Sequence, residues 1–474
     1  MSSQLSPEQP GNIEKFKISS NFTDYAVDLS GGLVDFYYYE SVLSNSVTAT
    51  ATIMESGFQE DDKGGAGAST GTVDGLPIRG RERTDIGMED TYGNQLTFDE
   101  GLYVNRLRDV DPGTQQDIYY LDLASKEYFA NEQTRVVKRY EGSISQNVET
   151  ILKDVLMVDG KIDADETAAP YNFMGNDKKP FYICSWLASK SIPQMQSESG
   201  ENAKGGTAGY LFYQTRDGFH FRSIDKIIDE EPTKKFLYNN TPGGPPKGYD
   251  AKILSYEIEG DIDLNQNLLQ GMYNNRSIYF DFFAFNYKVR NFCISPPEGA
   301  NATNSSTSDG SASEGPISTS GKLTTAGKNI EKLIAPEFTQ SPSRLMTHIL
   351  DVGTMPNGAT TEEQLENQKD DREAPTFDAT ETQQQSIMRY NQMFTVKTNI
   401  IIPGDFSIKA GDMVQCDFPE MTGSNIKDPN EESGGKYMVA HVCHRINPSS
   451  TTTSLALVRD SFGKKSSGTN QILA

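Results

Sequence analysis

The sequence predicts a mainly β chain with α+β additions, and two observations carry that prediction. The run SVTATATIM alternates strictly, with Val47, Ala49, Ala51 and Ile53 on one side and Thr48, Thr50 and Thr52 on the other. A period of two is the signature of a strand, not a helix. Strand-like runs then recur through residues 13–142 and again through 383–463, while helical spacing is clearest between those blocks.

Taken in order, residues 1–12 are polar and are expected to form a flexible N-terminus. FKIS, LVDFYYYE and SVTATATIM open the first β block, 13–142, and GGAGAST, from Gly64 to Thr70, reads as a loop. LPIRGRERTDIGMED, LTFDEGLYVNRLRDV and DIYYLDLASKEYF continue the strand pattern, with a turn at Asp111-Pro112-Gly113.

An α+β domain is expected over 143–238. Ser143 can cap a helix whose Ile144, Val148, Ile151, Leu152 and Val155 share one face. YICSWLASKSI reads as a second helix, ended by Pro193. Leu211–Thr215 and Phe219–Ser223 read as a hairpin turning at Arg216-Asp217-Gly218. NNTPGGPPKG then supplies a turn-rich linker.

Residues 249–295 form a further α+β segment: a strand in AKILSYEIEG, a short helix stopped near Gly271, then strand, turn, strand. The insert 296–382 reads as low-complexity and extended, with a Ser/Thr/Gly-rich stretch from Asn301 to Gly321. The last block, 383–463, begins with a helical stretch and continues as strands, with a hairpin turn at Lys409-Ala410-Gly411-Asp412; 464–474 is a C-terminal tail.

The 474 residues are enough to bury a sizeable core. A formal charge of −23, from 66 acidic against 43 basic residues, opposes tight nucleic-acid binding, which needs clustered Lys and Arg. The four cysteines are scattered without a CxxC pair, so buried thiols are expected. No signal peptide and no apolar run of membrane-spanning length is found, which predicts a protein made in a cytoplasm.

Candidate chemistry is sparse. His441 and His444 in HVCH suggest metal, but alternation puts His441 and Cys443 on one face and His444 on the other. Four converging ligands are not in sight, so ordinary strand residues are expected. Glu40, Glu55, Asp85, Glu89 and Asp90 have the residue type of a glycosidase pair, yet charged residues flank nearly every strand. A nucleophile elbow and a phosphate loop are both lacking. The aromatics of FYYYE, FYQTRDGFHF and YFDFFAFNY are read as core and interface anchors.

Several stretches together resemble the baseplate central hub proteins of contractile-tailed bacteriophages of the T-even-like and cyanophage type. GYLFYQTRDGFHFRSID resembles the hub hairpin, and LLQGMYNNRSIYFDFFAFNY a hub segment of helix end, Gly, Tyr and apolar strand. AGDMVQCDFPE, SGGKYMVAHVCHRI and LALVRDS resemble the closing barrel, and DLSGGLVDFYYYESVLSNSVTATATIMES the first barrel. The resemblance runs from Ile13 to Gly463 and leaves out the Ser-rich insert. The hub half of type VI secretion spikes is similar.

The resemblance implies two tail-tube-like antiparallel β-barrels in one chain, with a peripheral α+β domain. It implies a homotrimer forming a pseudo-sixfold ring between the tail tube protein and the central spike protein, within surrounding baseplate wedge proteins. Genomic DNA would pass without specific binding, and the protein would belong to the virion after assembly in the host cytoplasm. No catalytic, cofactor-binding or metal residues are expected, and no membrane insertion. Thr48, Thr50 and Thr52 are the candidate tube-wall or inter-subunit positions. The alternatives are another β-rich baseplate or receptor-binding tail protein, or a tail-associated cell-wall hydrolase.

Overall fold

The computed structural model describes residues 10–22, 26–55, 72–76, 78–112, 116–167, 171–194, 208–239, 243–259, 264–271, 274–281, 285–293, 324–325, 328–329, 342–349, 383, 386–387, 389–391, 393–394, 396–419 and 433–460. The loop GGAGAST, Gly113 of the expected turn, the stretch 301–321 and both chain ends lie outside them.

The chain is mainly β. The first block supplies β1 (Asn12–Ser19), β2 (Ala26–Asp28), β3 (Leu33–Ser41), β4 (Thr48–Glu55), α1 (Thr72–Gly75), β5 (Arg83–Glu89), β6 (Gln95–Thr97), β7 (Leu102–Pro112) and β8 (Asp117–Ala124). The alternation in β4 is realised as read: Val47, Ala49, Ala51 and Ile53 are buried and the threonines face outward. DIYYLDLASKEYF, read as continuing strand, is corrected. Its second half is helix α2 (Lys126–Gln133). Ser125 has the extended backbone of an N-cap, and Glu127 sits in the first turn, where a carboxylate favours the helix start.

The middle contains β9 (Arg139–Tyr140), α3 (Ile144–Thr150), β10 (Lys161–Ala164), β11 (Phe173–Met174), α4 (Pro180–Ala188), β12 (Tyr210–Thr215), β13 (Gly218–Ser223) and α5 (Ile224–Asp229). The Ser143 hydroxyl accepts from the Gln146 N–H and caps α3, which widens into a π-helical turn over Ile151–Val155. Helix α4 starts with Pro180 at its first turn and stops at Ala188, before Pro193. The hairpin turns on Arg216-Asp217, and Gly218 follows with φ 137°.

Next come β14 (Lys234–Leu237), β15 (Ala251–Lys252), β16 (Ser255–Glu259), α6 (Leu264–Gln270), β17 (Asn274–Asp281), β18 (Asn286–Cys293), β19 (Thr324–Thr325), β20 (Lys328–Asn329) and β21 (Arg344–Ile349). AKILSYEIEG is two strands rather than one, broken at Ile253-Leu254. Strand β21 arises inside 296–382 and runs parallel to β17. The chain closes with β22 (Val396–Pro403), β23 (Met413–Asp417), β24 (Gly435–Ile446) and β25 (Thr451–Arg459).

The turn at Lys409-Ala410-Gly411-Asp412 exists, but it is not a hairpin turn. β22 pairs with β16 and β25, whereas β23 pairs with β14 and β24. The turn therefore carries the chain from one part of the sheet to another.

One 15-stranded sheet takes strands from both ends of the chain. The junction is the antiparallel ladder between β3 and β24, from Ser41↔His441 to Phe36↔Ile446. Among the described residues there are three hydrophobic clusters, two on this sheet and one beside it. One is built on β1–β8 and includes Phe406 and Ile446 from the far end. One is built on β22–β25 and takes Leu211, Tyr213, Ile224, Ile227 and Ile228 from the middle. The third gathers Val148, Tyr171, Phe173, Phe181 and Phe212 around the helices. Strand β12 is buried on both faces: Tyr210 and Phe212 enter the helical cluster, while Leu211 and Tyr213 enter the C-terminal one.

Candidate functional site

The outward face of β7, β8, β4, β3 and β24 is polar and aromatic. The register sets Thr48, Thr50 and Thr52 opposite Tyr39, Tyr37 and Asp35 on one side. On the other side they stand opposite Ala124, Asp122 and Tyr120. Thr48 is exposed, and Thr50 and Thr52 are half-buried.

Each flank of the threonine row is charge-compensated. The Thr50 hydroxyl donates to Asp122 Oδ1 at 3.3 Å, and Arg108 grips the same carboxylate with two bonds of 2.8 and 3.0 Å. A planar guanidinium matches a carboxylate in this way and fixes its orientation. The Arg108 head also lies 5.4 Å from the Tyr120 ring centre. Across the row, Arg445 holds Asp35 at 3.1 Å and lies 5.4 Å over Tyr37. Tyr37 and Tyr39 stack with centroids 6.3 Å apart, and His441 meets Tyr39 edge-on at 6.0 Å. Partial burial, helped by Cys443, pushes the Tyr39 phenol up to about 12, so it stays neutral.

This face offers rigid rings, hydroxyls and paired charges. It presents neither a nucleophile beside a base nor a surplus of positive charge for phosphate. It has the chemistry of a contact surface.

Behind that face lies a buried joint that local sequence context did not single out. Glu40 Oε1 accepts from the Tyr38 hydroxyl and the Arg216 N–H, each at 2.9 Å, and Oε2 accepts from the Ala410 N–H at 2.9 Å. One carboxylate thus ties β3 to the hairpin turn and to the Lys409–Asp412 turn. Burial pushes its pKa up to about 7 against the pull of these donors. Lys409 bridges to Asp217 beside it. A signal existed: Glu40 follows Phe36 and Tyr38 in the inward phase of β3.

The remaining candidates are structural in their contacts. Glu55 accepts from the Thr72 N–H and hydroxyl, and Asp85 pairs with Lys15 and Arg83. Glu89 pairs through its backbone with Gln95. Asp90 is buried and accepts from the N–H groups of Tyr92, Asn94 and Phe406. His441 and Cys443 face outward and His444 inward. Its Nδ1 is 2.9 Å from the Thr453 hydroxyl and its Nε2 3.3 Å from the Ile408 carbonyl. Burial pushes this imidazole down to about 3, so it is neutral, donating to Ile408 and accepting from Thr453. Among the described residues, no group of three or more His, Cys, Asp or Glu is placed to hold a metal ion. No described helix is long and apolar enough to cross a membrane.

No protein-family model and no curated protein matches this sequence. Solved structures do match. A tail protein of the MuSo2 prophage from Shewanella oneidensis aligns over 95% of this chain and 100% of its own, at 8% identity and TM-score 0.47. A type VI secretion component from E. coli aligns over 92% of this chain and 76% of its own, at 8% identity and TM-score 0.39. The tail protein from Neisseria meningitidis MC58 aligns over 94% of this chain and 96% of its own, at 7% identity and TM-score 0.50. The chain therefore shares, nearly end to end, the fold of a solved tail protein.

Proposed function

We propose that this chain is a structural baseplate hub of a contractile phage tail. Three copies form a pseudo-sixfold ring that joins the tail tube to the central spike, and DNA passes through it during ejection. The observation that carries this reading is the β3–β24 ladder, which sets an N-terminal and a C-terminal group of strands side by side in one chain. Two tube-like units per chain, taken three times, match six tube subunits. The shared tail-protein fold supports the same reading.

In this reading the outward threonine face meets a neighbouring subunit or lines the tube wall. Its compensated charges suit a contact, and the acidity of the whole chain disfavours retention of phosphate. The work is mechanical and involves no catalysis.

Sedimentation velocity on the purified chain, alone and with tube protein, tests the proposal. A trimer that binds tube protein is expected. A chain that remains monomeric with and without tube and spike partners overturns it. Purified protein is also expected to release no labelled cell-wall fragments. Release abolished by a single carboxylate substitution would favour the hydrolase.

A further inference from the structure

An unbroken run of strands crosses the large sheet in the order β16, β22, β25, β24, β3, β4, β8 and β7, and every pair in it is antiparallel. One side of the run packs on the two hydrophobic clusters of the sheet. The other side is the outward face, which β25, β22 and β16 continue through Ser454, Asn399 and Glu257. The run ends in two open edges. Among the described residues, β16 pairs only with β22, and β7 beyond Val104 pairs only with β8. A row of unpaired backbone donors and acceptors is a template for another strand. Bulges on both sides of Arg106–Arg108 keep the open segment of β7 short, and β16 is short as well, with 5 residues.

The charges at these edges indicate what each one receives. Arg108 of β7 holds Asp122, and Lys397 lies 3.8 Å from Glu259 of β16. That leaves one exposed charge on each open segment without an ion-pair partner among the described residues. On β7 it is Arg106, which stands opposite Asp122; on β16 it is Glu257, which stands opposite Asn399. Asp111 lies past the second bulge, outside the segment. Arg106 and Glu257 share the outward face and have opposite signs. Opposite charges across a strand pair favour it, and like charges oppose it. A two-fold pairing of β16 with β16, or of β7 with β7, brings like charges together. Pairing β16 with β7 does not.

Strand direction agrees. The run has an even number of strands, so β16 and β7 point in opposite directions. Under simple rotation, the β16 edge of one copy meets the β7 edge of the next as an antiparallel pair, like every other pair in the run. The row of paired residues from Arg106 passes Asp122, Thr50 and Tyr37 to Arg445 on β24. The row from Glu257 passes Asn399 and Ala456 to His441 on the same strand. The two rows are staggered, as they must be in a sheet that closes on itself.

We infer that β16 of one copy pairs antiparallel with the Arg106–Arg108 segment of β7 in the next copy, setting Glu257 beside Arg106. The inference rests on the trimeric reading above and gives it a residue-level junction. The two edges differ, so the contact is head-to-tail, and such contacts generate a ring when the rotation closes.

Sedimentation velocity on the full chain tests this with Arg106→Glu, with Glu257→Arg, and with both changes in one chain. Both side chains are exposed, so all three variants are expected to keep the wild-type far-UV spectrum. In each single variant every junction loses an attraction and gains a repulsion. The trimer dissociation constant is then expected to rise at least about tenfold. The combined variant restores an attraction at every junction and is expected to return to the wild-type constant. Hydrogen exchange on the wild type reads the backbone pairing without any substitution. The amides of β16 and of Arg106–Arg108 are expected to exchange more slowly in the trimer than in the monomer obtained by dilution. A trimer whose edge amides gain no protection overturns the junction and leaves the trimeric reading standing. So do single variants that assemble like wild type, or a combined variant no better than the singles. A monomeric wild type removes both.

Discussion

The carboxylate of Glu40 accepts a 2.9 Å hydrogen bond from the backbone N–H of Ala410, 370 positions further along the chain. The same group holds Arg216 in the hairpin turn, so three distant stretches meet on one acid.

That joint is titratable. Its folded pKa is raised to about 7 from an ordinary 4.5 by burial. An acid raised in the folded state favours folding in its neutral form. Its stabilising contribution is complete below about pH 4.5 and is lost as the pH rises through about 7. Denaturant titrations should show this group removing on the order of 3 kcal/mol across that window. Glu40→Gln is expected to flatten that slope. It should also lower stability at acid pH, because one amide hydrogen then faces a backbone donor. A slope unchanged in the variant would assign the pH dependence to other groups, such as Asp412, raised by burial to about 6.

Arg389 is the second joint. It is fully buried and bonds Asp225 of α5 at 3.0 Å and Asp460, after β25, at 2.8 Å. Arg389→Leu leaves two buried carboxylates without that cation. A loss of about 3–5 kcal/mol is expected in equilibrium unfolding. A loss below about 1 kcal/mol would mean that the two acids are neutralised elsewhere.

Gly218 closes the hairpin at φ 137°, and a Cβ there would lie 2.0 Å from the Lys161 carbonyl oxygen. That carbonyl belongs to β10, which pairs with β13 at this residue. Gly218→Ala should cost about 2 kcal/mol or more and expose the β10 amides to hydrogen exchange. Unchanged protection would show that β10 tolerates the displacement.

Thr50→Lys adds a cation between Tyr37 and Asp122, where Arg108 already serves the carboxylate. The fold should survive, because the position is half-exposed. At a subunit contact, the trimer dissociation constant should rise at least about tenfold, or ~1.4 kcal/mol. Analytical ultracentrifugation reads this. A trimer of unchanged strength that retains DNA in a mobility assay would instead place the row on the lumen.

Much of the local pattern was legible in the sequence. Alternation placed Ala49, Ala51 and Ile53 inside, and Asp217-Gly218 marked the hairpin. The residues after Ala124 were not legible as helix, because Tyr128 and Phe129 extend an aromatic strand-like run while Ser125 and Glu127 supply only a short capping signal. The Lys409–Asp412 turn looked like a hairpin because turn chemistry is local and strand partners are not. Glu40 shows the same limit. Its phase in β3 points inward, but the donors that make burial tolerable come from residues 216 and 410.

The ladder between β3 and β24 also bears on how the chain is made. Residue 41 leaves the ribosome about 400 residues ahead of its partner at 441. At elongation rates of about 5–20 residues per second, that interval lasts roughly 20–80 s. Throughout it, the β24-facing edge of a strand carrying Phe36, Tyr37, Tyr38 and Tyr39 has no native partner. Such an edge can recruit the same strand from a neighbouring nascent chain on a crowded polysome. The seam that joins the two groups of strands thus forms late, and its open edge is exposed to error for most of synthesis. Yield in a heterologous host should depend on translation speed and on chaperones that shield open strands.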